Sequence, residues 1–198
     1  MKVINYQTGT RTQKEKKMQV EYKEGGIDRP TGVVQAVLCE SVDLGTVDDK
    51  FSPGKKKPEC VLVWQLAESA GTWINKEGKK SLFLQSKIFR VSLNEKANLR
   101  KIVEGMIGKA LTLENGKKVE LDKLNGVNCM LTISKPEDSN YTKIDAAAPI
   151  MKGLAKIAPV NYERPAWINE MIAERKQEKS APVDSAGDVD VSDVAFNL

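Results

Sequence analysis

The chain has 198 residues, of which 40% are hydrophobic and 29% charged, and its formal net charge is +4. These proportions are typical of a water-soluble protein with one globular domain of ordinary size and additional arms. The sequence contains no histidine, which excludes catalytic Ser–His and Cys–His pairs, histidine general bases and histidine-ligated metal sites.

The predicted elements begin after a basic, polar arm, residues 1–27, in which residues 19–22 fit an edge strand. Alternation and runs of β-branched residues then predict strands. The predicted strands are residues 31–45, 60–69, 81–93, 127–134 and 140–149, with the third broken in its middle. Loops separate them: one carries Pro53-Gly54, and another carries Trp73 and a basic turn at residues 75–80.

A helix is predicted between the third and fourth strands. Leu99, Ile102, Val103 and Met106 have the spacing i, i+3, i+4 and i+7 of one apolar helix face. Ser92 and Glu95 fit a capping box at its start, with Asn94 as an alternative cap, and Gly108 is a residue that commonly ends a helix. The box would satisfy free backbone N–H groups of the first turn.

The C-terminal part is predicted to contain a linker and an amphipathic helix at residues 151–179, followed by an acidic, disordered tail at residues 180–198. Pro165 precedes the helix, and Trp167 is expected to pack it onto the body. The tail has no Lys or Arg, and without its four acids residues 1–179 carry 31 − 23 = +8. Its acidic and large apolar residues are Asp184, Asp188, Asp190, Asp193, Phe196 and Leu198.

Five strands with one helix after the third is the order of the OB-fold, a five-stranded Greek-key barrel. The sequence therefore predicts a mainly β protein with this barrel at residues 28–150, together with the C-terminal helix and tail. OB barrels bind single strands or oligosaccharides across one face and between loops.

Several kinds of function are excluded or disfavoured. No apolar run approaches the roughly 18–20 residues that span a bilayer, and the N-terminus lacks the apolar centre of a secretory signal, so a cytoplasmic location is expected. Three separated cysteines predict neither a zinc site nor a disulfide framework, and Cys39 and Cys129 are expected to be small buried residues. No phosphate-binding glycine loop is present. We therefore expect a protein without catalytic activity, cofactor or metal.

Basic and aromatic residues recur in the same predicted loops and strand faces. Lysines and arginines there would bind phosphates, and aromatic rings would stack on bases. The expected phosphate-binding residues are Lys55, Lys56, Lys57, Lys79, Lys80, Arg90 and Lys143, and the expected stacking residues are Trp73 and Tyr141. Trp64 and Phe89 are predicted to lie in the core. For Trp73 and Tyr141, packing against the barrel and binding of a base explain the residue equally well.

Residues 87–112, the pattern Asp122-x-Leu124-x-Gly126-x-x-Cys129, and Tyr141-x-Lys143-Ile144 resemble phage-encoded single-stranded DNA-binding replication proteins. The resemblance covers about residues 28–150 and implies an OB barrel and sequence-independent binding of single-stranded DNA. The tail is similar in character to acidic tails that recruit replication proteins. It departs from the bacterial pattern, because it ends in Phe196-Asn197-Leu198 and not in Pro-Phe.

We therefore predict a single-stranded DNA-binding protein of DNA replication or recombination, acting in the cytoplasm of a phage's host. Its tail is expected to compete with DNA for the basic face and to recruit a polymerase, primase or helicase. Alternatives are an OB-fold protein–protein adaptor, binding of RNA, and an enzyme with carboxylate-bound Mg²⁺. The sequence does not determine the oligomeric state.

Overall fold

The computed structural model describes residues 28–49, 52–75, 77–112, 119–139 and 141–180. Within these residues, the α-helices are α1 (Asn98–Ile107) and α2 (Ala166–Ser180), and short 3-10 helices lie at Glu68–Ala70 and Leu121–Leu124. The strands are β1 (Gly32–Asp48), β2 (Lys56–Leu66), β3 (Thr72–Ile74), β4 (Lys80–Leu82), β5 (Leu84–Arg90), β6 (Asn128–Ser134) and β7 (Lys143–Pro149). The expectation of a mainly β protein is confirmed, and the break in the third predicted strand separates β4 from β5. The expected strand at residues 19–22 lies outside the described residues.

Five strands form one antiparallel sheet in the order β5-β2-β1-β6-β7, and β3 and β4 form a separate hairpin. The first part of β1 pairs with β6, and most of its length pairs with β2. Register shifts near Leu38 and Asp43 interrupt the pairing with β2, and such bulges bend a strand and increase its twist. The long strand β1 therefore pairs with both β6 and β2 while the sheet curves.

The two outer strands of the sheet, β5 and β7, approach each other through side chains. The Gln85 amide donates to the Thr142 hydroxyl at 2.7 Å, and the Lys87 ammonium donates to the Ile144 carbonyl at 2.6 Å. Among the described residues β5 and β7 are not paired as strands of the sheet. The sheet is therefore curved and bridged at its seam, and a closed barrel is not seen.

The main core lies inside the curve of the sheet, where α1 covers it. Alternate residues of each strand point inwards, so that Leu62, Trp64 and Leu66 of β2 are fully buried. The four residues of the predicted helix stripe are buried against them, as expected. A β-carbon at Gly105 would lie 2.3 Å from the Ala147 carbonyl oxygen, so the approach of α1 to β7 requires glycine at this position.

The prediction for the start of α1 was wrong. Ala97 precedes the helix, which begins at Asn98, and no side chain caps it. The Ser92 hydroxyl instead accepts a hydrogen bond from the Asn94 N–H at 3.4 Å. Ser92 and Glu95 lie in the connection from β5, too far before the helix to form a capping box. Gly108 ends the helix in the left-handed conformation (φ 67°), as predicted.

Residues 154–164, which we call the strap, cross the outer face of the sheet. Val37 of β1 is in register with Gln65 of β2 and with Asn128 of β6, so the three residues form a row across the sheet. The Asn128 amide accepts from the Ile157 N–H (2.8 Å) and donates to its carbonyl (2.9 Å). The Gln65 amide binds Val160 in the same way, at 2.7 and 2.9 Å. Ile157 and Val160 are three residues apart, which is about 10 Å in an extended chain, and Asn128 and Gln65 are two strand spacings apart, which is also about 10 Å. The spacing of the strap residues therefore matches the spacing of the amides that bind them.

Helix α2 continues from the strap over β1 and β2. Ile168 is fully buried against Val42, Leu44, Val61 and Val63, and together these residues form a second apolar cluster. The expectation that Trp167 docks the helix was wrong, because Trp167 is 36% exposed and the next residue is the buried one. No helix in the described part of the chain is long and apolar enough to span a membrane.

Candidate nucleic-acid interface

The strap and α2 decide which part of the sheet's outer face stays open. They cover the outward side chains of β1 and β2, including Val61, Val63 and Gln65. On the neighbouring β5, the outward residues Ser86, Ile88 and Arg90 are exposed. One open track on this face therefore follows β5, which is about 20 Å long. Exposed residues also lie on the other side of the strap, among them Val33 of β1, Thr132 of β6 and Ala146 of β7.

Predicted phosphate-binding residues meet at the end of this track. Lys55 and Lys56 are exposed, and Lys57 is two residues before Glu59, the cross-strand partner of Arg90. Lys56 and Lys57 belong to β2 and not to the predicted loop. Four cationic residues, Lys55, Lys56, Lys57 and Arg90, thus lie at one end of β2 and β5.

The charge of Lys57 is partly committed within the protein. Its ammonium forms an ion pair with the buried Asp49 carboxylate. Desolvation, and then the positive charge of Arg90, lower the pKa of Lys57, and the ion pair acts in the opposite direction. Lys55, Lys56 and Arg90 form no ion pair with any residue that the structure describes. They are therefore better placed than Lys57 to bind an added anion.

A cleft of about 390 Å³ lies beside this basic end. Lys87, Arg90 and Lys96 line it, together with the first residues of α1. Lys87 and Lys96 were not among the predicted site residues. Lys96 stands in the polar connection between β5 and α1, and no sequence pattern separates it from other exposed lysines.

At the other end of the track lies the β3–β4 hairpin. Trp73 was predicted in a loop, but it belongs to β3, where it is half-buried and packs against the main core. Its indole N–H donates to the Leu82 carbonyl at 3.4 Å. Lys79 and Lys80 are exposed, and they form ion pairs with Glu77 and Glu68.

The hairpin borders a second cleft, of about 580 Å³, that also includes residues preceding β1. Arg29, Trp73 and Ile74 are among its lining residues. Ile74 is 63% exposed beside the cationic Arg29. Arg29 is a lone arginine far from the hairpin in sequence, so only the tertiary fold reveals that it shares a cleft with Trp73.

Tyr141 and Lys143 stand where β7 begins. Tyr141 is 76% exposed, and Lys143 forms a 3.4 Å ion pair with Asp145. The nearby Ser134 hydroxyl is the main reason that the pKa of Asp145 lies below its ordinary value, and Lys143 lowers it further. The Gln85–Thr142 hydrogen bond fixes the residue between Tyr141 and Lys143 to the start of β5.

The predicted site residues therefore fall into two groups at opposite ends of β5. Lys55, Lys56, Lys57 and Arg90 lie near its last residues. Trp73, Lys79, Lys80, Tyr141 and Lys143 adjoin its first residues, through the hairpin or through Thr142. Lys87, which the sequence did not single out, lies between the groups along β5 but faces the seam with β7. Its ammonium donates to the Ile144 carbonyl and is 5.6 Å from the Phe89 ring centroid.

Two aromatic residues predicted as core are buried, since Trp64 is 0% exposed and Phe89 is 3% exposed. The Trp64 indole N–H has no hydrogen-bond partner among the described residues. The cysteines Cys39, Cys60 and Cys129 are free thiols. Cys129 is buried as predicted, whereas Cys39 is only half-buried, so the prediction of full burial was wrong for it. Burial raises the pKa of the Cys129 thiol to about 12, which keeps it protonated and unreactive at neutral pH.

The residues predicted to bind a partner, Asp184, Asp188, Asp190, Asp193, Phe196 and Leu198, lie outside the described residues. In the part that is described, no group of three or more Asp, Glu or Cys side chains is placed to hold a metal ion. No protein-family model and no curated protein matches the sequence.

Proposed function

We propose that this protein binds single-stranded DNA without sequence preference and acts in DNA replication or recombination. The strand would run along β5, with bases stacked near Tyr141 and Trp73. Its phosphates would be bound by Lys143, Arg90, Lys55 and Lys56. Stacking on an aromatic face tolerates every base, and cationic side chains bind the backbone.

We further propose that the curved sheet is an OB barrel that is left partly open at the seam between β5 and β7. The order of its strands and the position of α1 after the third barrel strand support this assignment. OB barrels bind oligonucleotides on the face of their second and third strands and with the loops after the first and fourth. The third strand of this barrel is β5, which carries Arg90. Lys55 lies in the loop after the first barrel strand, β1, and Tyr141 lies in the loop after the fourth, β6.

The observation that carries the proposal is the exposure of Tyr141. A 76% exposed aromatic side chain has little packing value in the monomer, and it stands two residues from Lys143. Stacking on a base requires an exposed aromatic ring, and binding of the neighbouring phosphate requires a cation nearby. Tyr141 and Lys143 provide these two groups. The sequence left Tyr141 open between packing and binding, and its exposure favours binding.

We also propose that the acidic tail recruits a replication protein and competes with DNA for the basic track. The charge pattern supports this, because four aspartates follow a body of charge +8. The large apolar residues Phe196 and Leu198 would provide the contact with the recruited partner.

The test is a titration of fluorescein-labelled oligo-dT, followed by anisotropy and by tryptophan fluorescence at several salt concentrations. Saturable binding is expected to weaken with salt, with a log–log slope of about −0.7 for each phosphate contact. Tyr141→Ala should lose about 1–3 kcal/mol of binding free energy, whereas Tyr141→Phe, the matched control, keeps the ring and should bind as the unchanged protein does.

A duplex of the same length should bind more weakly than the single strand. Absence of saturable binding by folded protein at low salt would reject the proposal and leave the protein–protein adaptor. Equal affinities of Tyr141→Ala and Tyr141→Phe would retain binding but remove Tyr141 from the stacking residues. An oligo-U titration in parallel separates DNA from RNA preference.

A further inference from the structure

Helix α2 contacts the basic end of the track through Arg175. Its guanidinium donates to the Glu59 carboxylate at 2.9 Å and to the Leu44 carbonyl at 3.2 Å. The side chains of Arg175 and Glu59 are 13% and 26% exposed. This is a partly buried, charge-assisted pair with a second hydrogen bond, a stronger arrangement than an exposed ion pair.

Glu59 has another natural partner. In the β2–β5 register it lies directly opposite Arg90, and opposite charges at such cross-strand positions attract each other. In the structure, however, Arg90 is exposed and forms no ion pair with Glu59 or with any other described residue. The carboxylate of Glu59 is bound to the arginine of α2, and the arginine of β5 is left with its charge unpaired.

We propose that Arg175 is a positioning residue that holds the Glu59 carboxylate and so keeps Arg90 available for a phosphate of the bound strand. Without Arg175, Glu59 would turn to Arg90 and neutralise it. Docking of α2 thereby increases the positive charge that the end of β5 presents to a polyanion. This inference rests on the proposed function.

The inference predicts the effect of Arg175→Ala on binding of fluorescein-labelled oligo-dT by the full chain. Affinity should fall about two- to fivefold, the range of one exposed ion pair. The salt slope should become shallower by about 0.7, because one phosphate contact is lost. The control is Lys176→Ala, which removes the same charge from the next, exposed residue of α2 and should leave the slope unchanged.

Glu59→Gln separates this mechanism from a loss of packing. Alone it should change affinity less than twofold, because Arg175 already neutralises the carboxylate. Combined with Arg175→Ala it should restore affinity and slope, since no carboxylate remains to bind Arg90. If Arg175→Ala weakened binding only by releasing α2, the second substitution would not restore it, and the proposal would be overturned.

Arg90→Ala completes the cycle of variants. In that background Arg175→Ala should have no further effect on affinity, because Arg90 mediates the effect. Additive losses would contradict the proposal, as would equal slopes for Arg175→Ala and Lys176→Ala. Failure of the unchanged protein to bind oligo-dT would instead reject the proposed function itself, so the two failures are distinguishable.

Discussion

Glu40 is the residue that joins the end of the strap to the sheet. Its carboxylate accepts hydrogen bonds from the Tyr162 hydroxyl at 2.9 Å and from the Arg164 guanidinium. The hydrogen bond from Arg164 is the main reason that the pKa of Glu40 is lowered, partial burial opposes this, and Tyr162 assists it. Because the folded-state pKa lies below the unfolded one, the carboxylate stabilises the fold above the unfolded value and loses that effect as the pH falls through the folded value.

The pH dependence of stability at this residue follows from that sign. At pH 7, Glu40→Gln should lower the free energy of unfolding by about 1–2 kcal/mol. Since the pKa of an unfolded glutamate is about 4.3, the difference between the variant and the unchanged protein should shrink below that pH. Chemical denaturation of both proteins from pH 7 to pH 3 measures it. A difference that stays constant with pH would show that Glu40 acts through packing and not through its charge.

At the scale of elements, two buried side-chain amides hold the strap on the sheet, whereas neighbouring strands are held to each other by backbone hydrogen bonds. Asn128 and Gln65 are 8% and 4% exposed, and each satisfies both backbone groups of one strap residue. They bind main-chain atoms, so the hydrogen bonds do not depend on which side chains the strap carries. The arrangement fixes the position of the strap across the strands.

Replacing Gln65 by Leu should therefore release the middle of the strap. The Val160 N–H and carbonyl would lose their partners, and two hydrogen bonds predict a loss of about 1–3 kcal/mol in the free energy of unfolding. Hydrogen exchange at Val160 should accelerate more than exchange within β2, and it is read by NMR. Thr132→Leu, a similar polar-to-apolar change at an exposed site of the same sheet, is the control. Unchanged protection at Val160 would show that the amide does not hold the strap.

The elements also show how far patterns in sequence reach. The apolar stripe of α1 and its ending at Gly108 were predictable, because helix periodicity and the left-handed end are local properties. Its first residue was not, since Ser92 fits a cap by sequence but belongs to the connection from β5. The same limit applies to α2. Trp167 was predicted to pack this helix onto the body because it is aromatic, but the helix face that meets the sheet carries Ile168.

For the whole molecule, charge is divided between a basic body and an acidic tail. Deleting residues 181–198, which leaves the described helix α2 complete, is expected to raise affinity for oligo-dT at low salt, because a competing anion is removed. The gain should disappear as salt rises. A variant with the tail's four aspartates changed to asparagine keeps the length and should behave like the deletion.

Unchanged low-salt affinity after the deletion would reject competition by the tail. Recruitment is a separate question and has a separate readout. Capture of a purified replication polymerase, primase or helicase by the full chain should be lost with Phe196→Ala, while DNA affinity is kept. Equal capture by Phe196→Ala would remove this residue from the partner contact.

By itself the sequence determined a mainly β body with one internal helix, buried Trp64 and Phe89, and an acidic end, because these follow from composition and from periodicities of two and 3.6 residues. Only the tertiary structure decided that the outer face of β5 stays uncovered, that Arg29 shares a cleft with Trp73, and that Arg175 binds Glu59. These are contacts between residues far apart in the chain. They depend on how the strap and α2 cross the sheet. A local sequence pattern does not determine which strands a segment later in the chain will cover.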